Sequence, residues 1–579
     1  MLCCALAVVT ATAASATPTS TSADSRFKAL STAEWNWRVH EQLAWDDSAP
    51  IQAALPSVDP VTQAAHLAYW LDVRHQLDTI PAAALSPSAR IDEEVYRQQI
   101  DVLIAQQQFR EYEKPLTSDE AFWSSFSDAS SLPLKTEADY RAFISQLRDA
   151  SRYFDQQIAN MHAGLARGFT PPQVTLAGRD RSIAAIADAT DPATTSFYQP
   201  YAKLPANIPA SVQTELRDTA KTAIARDVIP SYRKLLQFMR EDYIPHARTA
   251  LAAESMPDGK AYYQSLIKEY TTLDLTPAQI HDIGLAQVKL LQAQMEVVRR
   301  QTGFTDDMPA FLHFLRTDPQ FYAKTPEQLL QQAAWISKQV DNIIGKWIGH
   351  LPRRRFGIEP VPASIAPYYT SGRAGNGVYL VNTYNLSSRP LYSLRALTLH
   401  ESAPGHLLQI PLADENSNQP DFRRKNYISA YGEGWALYCE KLGVEMGIYE
   451  TPYDTFGMLS YQMWRAARLV VDTGIHSQGW TRDRARAYLH DNTALSDPEI
   501  DNEVDRYISW PGQALSYYLG ELAIVAAREK AEKALGQKFN IRAFHDAVLE
   551  LGSVPLPVLT AHIDRLIEAG GKGPYPDEE

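Results

Sequence analysis

Twice in this chain a threonine precedes a proline and, three places on, a glutamine, and each time apolar residues at helical spacing come next. Thr276-Pro277-Ala278-Gln279 supplies an N-cap hydroxyl, a proline at the first helical position and a glutamine able to close a capping box. Ile280, Ile283, Val288, Leu291, Met295 and Val298 then recur on one face. Thr325-Pro326-Glu327-Gln328 opens the same way before Leu329, Leu330, Trp335, Ile336, Val340 and Ile344. Each signal predicts a helix of about 20 residues. Amphipathic patterns over 90–112, 210–240, 391–403, 428–446, 455–473, 481–491 and 514–535 extend the reading, so the chain is predicted to be mainly α. No repeat of fixed period is found. The one division expected lies near 270, between an N-terminal helical half (26–270) and a C-terminal helical half (271–579).

One stretch interrupts the helical pattern. Pro360 to Pro367 is rich in turn formers, and Gly377-Val378-Tyr379-Leu380-Val381-Asn382-Thr383-Tyr384 is dense in β-branched and aromatic residues. A strand is predicted over 377–384.

Hydrophobic residues make up 45% of the 579 positions and charged ones 21%, enough apolar material for a large core. The net charge of −13 comes from acids spread along the chain, with no basic stripe to neutralise phosphates or anionic lipid. Nucleic acid and membrane-surface partners are set aside. Met1 to Ala16 is uncharged, apolar and small, and its end at Ala14-Ser15-Ala16 reads as a signal cleavage site; a flexible linker is expected over 17–25. Export, to the periplasm or outside the cell, follows. No later segment is apolar for long enough to span a bilayer. With the signal removed, Cys439 is the sole thiol and no internal disulfide is possible.

Chemistry concentrates after the strand. Leu399-His400-Glu401-Ser402-Ala403-Pro404-Gly405-His406 follows an apolar helical run. A zinc hydrolase needs neutral imidazoles, an open position for water, and a carboxylate to take that water's proton. The usual spacing places the histidines four apart on one helix face. Here they are six apart, about 120° around an ideal helix, too far to share one ion. Pro404 removes an N–H and crowds the carbonyl of His400, and Gly405 can adopt positive φ, so the helix is predicted to bulge or break between them. A Pro-Gly helix end with two ordinary histidines is the competing reading of this segment alone. Glu433, in Tyr431-Gly432-Glu433-Gly434-Trp435, opens another helix 33 residues after His400, flanked by glycines that would permit close approach of a metal site. It is the candidate third ligand. Glu440 returns to the same face seven residues on and is a candidate acceptor for a histidine N–H, or else a solvated acid.

The strings NTYN, HESAPGHLLQ, EGWALYCE, VVDTGIHSQGW and RYISWPGQALSYYLGEL occur in that order. They resemble the bacterial family known as domain of unknown function 885, over roughly residue 30 to the end. That family looks related in architecture to helical zinc peptidases of the thimet oligopeptidase, angiotensin-converting enzyme and thermophilic carboxypeptidase type. The resemblance implies a multi-helical, two-lobed metallopeptidase-like fold with a substrate channel and a short strand or small sheet near the site. It implies one zinc ion on His400, His406 and Glu433, with Glu401 as general base. Ala403 and Leu407 depart from the family pattern, which has an aromatic residue and a further histidine there, so a third histidine has no support. Tyr517, in PGQALSY, is the candidate for stabilising an oxyanion, and His476 is a second catalytic candidate. Arg506, Tyr507 and Asn382 are candidate substrate binders. The expected activity is hydrolysis of peptides, with the strand at 377–384 binding extended substrate along its edge. A noncatalytic metal- or peptide-binding protein, and a zinc hydrolase of a nonpeptide amide or ester, are the alternatives.

Overall fold

Both threonine signals start helices in the computed structural model, which describes residues 22–571 apart from 45, 47, 48, 119, 129, 131–133 and 364. Thr276 and Gln279 form the full capping box of the helix Pro277–Gln301. Thr325 caps the helix Pro326–Ile343, but the Gln328 side chain accepts from the N–H of Lys324 (2.7 Å) and leaves the box half made. Such caps contribute about 1 kcal/mol each. The chain is mainly helical, with one small three-stranded sheet. No helix among the described residues is long and apolar enough to cross a membrane.

Among the described residues, two stretches differ from the sequence reading, 17–25 and 210–240. The stretch 1–16, read as a signal, lies outside the described residues. The stretch 17–25, read as a linker, ends inside a helix: Ala23–His40 begins there because the Ser22 side chain accepts from the N–H of Ser25. The region 210–240 is also not one regular helix; Ile224–Val228 forms a π-helical turn between Ala210–Ala223 and Ile229–Phe238.

The strand predicted over 377–384 is shorter, and it has company. β1 (Gly357–Pro360), β2 (Gly372–Gly375) and β3 (Val378–Val381) form a sheet of order β1-β3-β2, with β1 parallel and β2 antiparallel to β3. Asn376 and Gly377 join β2 to β3 with φ of 50° and 77°, the left-handed pair that a two-residue hairpin requires. The predicted strand is therefore central. Both its edges are occupied, so an added peptide strand has no place on it, and the expectation of edge binding at 377–384 is corrected: β1 and β2 are the edge strands.

Apolar side chains gather in three clusters. One runs from Leu116 to Ala247, and a second joins Phe27 through Ile104 to Phe422. The third draws chiefly on residues from Ala253 to Ile563 and holds the sheet and the histidine segment. At its centre runs the helix Pro452–Gln478, in which every residue from Phe456 to His476 is buried. It packs against Pro277–Gln301 on one side and Leu391–Glu401 on another. Side chains such as Leu469, Val470 and Val471, all fully covered, contribute about 1.5–3 kcal/mol each relative to exposure. A helix covered on all sides is a rigid platform, and it forms one wall of the site.

Candidate metal centre and its cavity

The helix carrying the first histidine, Leu391–Glu401, stops one residue beyond His400, and a new helix, His406–Glu415, begins at the second. Pro404 has no N–H to continue the ladder. Instead the N–H of Gly405 reaches back to the Leu399 carbonyl (3.1 Å) and that of Leu407 to Ser402 (3.1 Å). Gly405 is needed for space: its φ is −71°, not positive, and a Cβ there would overlap the His400 carbonyl oxygen. The break turns the two imidazoles toward each other, with ring centres 4.9 Å apart and planes at 86°.

Glu433 meets them from the first turns of the helix Ser429–Glu445. Its Oε2 lies 3.4 Å from His400 Nε2 and 3.3 Å from His406 Nε2. The three side chains offer ligand atoms all within 4.8 Å of one another. Neighbouring donors of a tetrahedral ion with bonds of about 2.0–2.1 Å sit about 3.3 Å apart, so this donor set fits a zinc-class cation. Behind it, His400 Nδ1 hydrogen-bonds Glu440 Oε1 at 2.8 Å, which holds Nε2 toward Glu433. Burial pulls the His400 pKa down, but hydrogen bonds to Glu433 and Glu440 outweigh it and raise it to about 10. Burial likewise pushes Glu433 up, yet the charge and hydrogen bonds of the two imidazoles hold its carboxyl well below the usual range. Both shifts express one demand: the space between these groups favours positive charge.

The glycines beside Glu433 serve packing partners rather than the ligand cluster directly. A Cβ on Gly434 would stand 2.5 Å from the backbone of Gly520, so its absence lets the helix Ser516–Leu535 close in. Gly432 makes room for the ring of Tyr427, whose hydroxyl donates to Glu433 Oε1 (3.1 Å). Trp435 completes the frame by donating its indole N–H to the Pro404 carbonyl at 2.8 Å.

A cavity of about 590 Å³ opens over the cluster, lined by His400, His406 and Glu433 and also by Glu401, Arg506 and Tyr517. Glu401 is buried, and its Oε2 accepts the N–H of Ala374 at 2.7 Å. That N–H belongs to β2, whose Gly372, Arg373 and Ala374 line the same cavity. The Tyr517 ring stacks at 6.3 Å from the His400 ring, and its hydroxyl accepts from Arg506 Nη2 (3.2 Å).

Three predicted site residues lie elsewhere. His476 is buried in the central helix, where its Nδ1 accepts from the N–H of Ala253 (3.0 Å) and its Nε2 donates to the Tyr507 carbonyl (2.9 Å); burial lowers its pKa to about 3. It is a neutral structural bridge. The Tyr507 hydroxyl is enclosed by Trp464 Nε1, Arg468 Nε and Glu503 Oε2, at 2.8, 2.8 and 2.9 Å, and does not line the cavity. Asn382 is also away from it, and its amide donates to the carbonyls of Ala366, Tyr369 and Thr370, tying down the loop that leads into β2. In each case a polar side chain in a recognisable string satisfies buried backbone or side-chain groups instead of meeting solvent.

Sequence reasoning missed Tyr427, Trp435 as a brace, and Arg465 and Arg468, which line the cavity from the central helix. The run Tyr461-Gln462-Met463-Trp464-Arg465-Ala466-Ala467-Arg468, which places arginines amid aromatics on a buried helix, was the available signal for the last two.

Comparison with known proteins agrees with this architecture. A crystal structure of a candidate lipoprotein from Colwellia psychrerythraea superposes with a TM-score of 0.87 at 24% identity, covering 95% of this chain and 100% of that one. A candidate lipoprotein of unknown function from Shewanella oneidensis gives 0.70 at 17% identity, covering 94% and 99%. Both show a shared fold. Curated proteins provide no match. The family described as bacterial protein of unknown function (DUF885) matches residues 43–563, and the chain belongs to that family.

Proposed function

We propose that this protein is an exported zinc-dependent metallopeptidase, related in design to helical Glu-type zinc peptidases, with His400, His406 and Glu433 as ligands. The observation that carries the reading is the convergence of Glu433 Oε2 on both Nε2 atoms at 3.3–3.4 Å, with Glu440 behind His400. Held by His400, His406 and Glu433, a zinc ion would supply Lewis-acid activation of water and of a substrate carbonyl.

The chain's own groups do the rest. The Ala374 N–H fixes Oε2 of Glu401, leaving Oε1 to take a proton from the attacking water and pass it to the leaving amine. Arg506 donates to the Tyr517 oxygen, so the tyrosine's own proton is directed to the oxygen on which charge develops. Apart from the Ala374 N–H held by Glu401, the outward edge of β2 is available to pair with an extended peptide, and burial of the site behind a cavity excludes folded proteins. Export accords with the apolar N-terminal stretch and with the description of the two structural relatives as candidate lipoproteins.

The test is metal content of the purified protein with and without His400→Ala, followed by a peptide digest. One zinc per chain, lost in His400→Ala, is expected. Glu401→Gln should keep the metal and lose about 10²–10⁴-fold in turnover. Full hydrolytic activity in Glu401→Gln would end the mechanism.

A further inference from the structure

The central helix presents Arg465 and Arg468, three residues apart, to the cavity, and the two are only 3% and 1% exposed. A guanidinium has five N–H donors, and a buried one normally places them on acceptors. Here Nε and Nη1 of Arg465 and Nη1 of Arg468 have no acceptor among the described residues.

The nearby carboxylates do not meet these N–H groups. Glu440 stands 3.7 Å from Arg465 Nη2 but holds His400 Nδ1 at 2.8 Å. Glu503 accepts from Arg468 Nη2 (2.7 Å) and Tyr507 (2.9 Å), and its other oxygen is 3.5 Å from Arg506 Nη1. None of these contacts reaches Nε or Nη1 of Arg465 or Nη1 of Arg468.

We infer that the wall formed by Arg465 and Arg468 is a subsite for a substrate carboxylate, either the free end of a peptide or an acidic side chain just beyond the cleaved bond. The inference rests on the peptidase reading of the neighbouring cluster. Its placement follows from Tyr517, whose ring centre lies 4.3 Å from Arg468 Cζ and 6.3 Å from the His400 ring. An extended peptide advances about 3.3–3.6 Å per residue, so the carboxylate belongs within about three residues of the reacting bond. Guanidinium groups suit it because their planar fork pairs with both carboxylate oxygens.

The experiment uses three N-acetylated tetrapeptides of one apolar sequence: the free acid, the C-terminal amide, and an amide carrying one glutamate. Each is titrated calorimetrically into the zinc-loaded Glu401→Gln protein and digested with the zinc-loaded wild type. The acid should bind at least about 10-fold more tightly than the plain amide, and Arg465→Gln should erase the difference without loss of zinc. Recovery of binding by the glutamate-bearing amide would assign the carboxylate to a side chain, whereas its failure to recover would assign it to the chain end; either upholds the subsite. Should Arg465→Gln fail to fold by circular dichroism, Arg468→Gln takes its place. Equal binding of acid and both amides, or a preference that survives the substitution, overturns the subsite, while cleavage of all three would leave the peptidase reading intact. Preferred binding of the acid with no cleavage of any peptide would instead remove the peptidase reading and keep the subsite.

Discussion

The indole N–H of Trp435 donates to the carbonyl of Pro404 at 2.8 Å, and this one bond joins the loop between the two histidines to the helix that delivers Glu433. Both ends are buried, so neither group has water to fall back on. Trp435→Phe removes the donor and strands the carbonyl, at a cost of about 1–3 kcal/mol. A lowered urea midpoint and weaker zinc affinity are expected together, measured by denaturation and by chelator competition. Loss of stability with unchanged zinc affinity would mean the brace does not position the ligands.

In the proposed zinc site, Glu440 would act on the metal through His400. Glu440→Gln keeps the shape but loses the charge that fixes the imidazole, and zinc affinity should fall about 10–100-fold. Competition with a fluorescent chelator reads this directly. An unchanged dissociation constant would make Glu440 a packing residue only.

Tyr517→Phe keeps the ring against His400 and removes only the hydroxyl that Arg506 orients. If that hydroxyl meets the developing oxyanion, kcat should fall about 10²–10³-fold with KM little altered. A rise in KM at constant kcat would assign Tyr517 to ground-state binding instead.

Two buried histidines remote from the cluster set an acid limit on stability. Burial lowers both His476 and His545 from 6.5 to about 3. Between those values the unfolded chain takes up protons that the folded chain refuses, so the contribution of these two rings falls as pH drops below about 6.5 and continues to fall toward 3, while buried Asp472, Glu269 and Glu521, with raised values, act in the opposite direction. The difference in melting temperature between the metal-free wild type and metal-free His476→Gln, followed from pH 7 to pH 4, isolates the histidine's share. A wild-type advantage that stays constant or grows with acidity over that range contradicts the buried, neutral state of the His476 ring.

What could be read locally was read well where the cause is local. The capping box at Thr276 and the apolar spacing behind it need only neighbours in sequence, and the helix Pro277–Gln301 formed as expected. The break at Pro404-Gly405 was legible for the same reason, since a missing N–H acts within one turn. The reason for Gly405 was not: its demand is the nearness of the His400 carbonyl, while its φ stays negative.

By itself, the sequence determined the helical class, the stop between the histidines, and a short list of polar residues able to do chemistry, because propensity, capping and proline geometry operate over a few residues. Which polar residues reach the cavity was decided only in three dimensions. His476, Tyr507 and Asn382 were drawn inward to satisfy buried partners, while Tyr427, Arg465 and Arg468 arrived at the cavity wall from segments far apart in the chain. The physical reason is that a polar group in the interior goes to whichever partner the packing brings near, and packing is settled by contacts between residues distant in sequence.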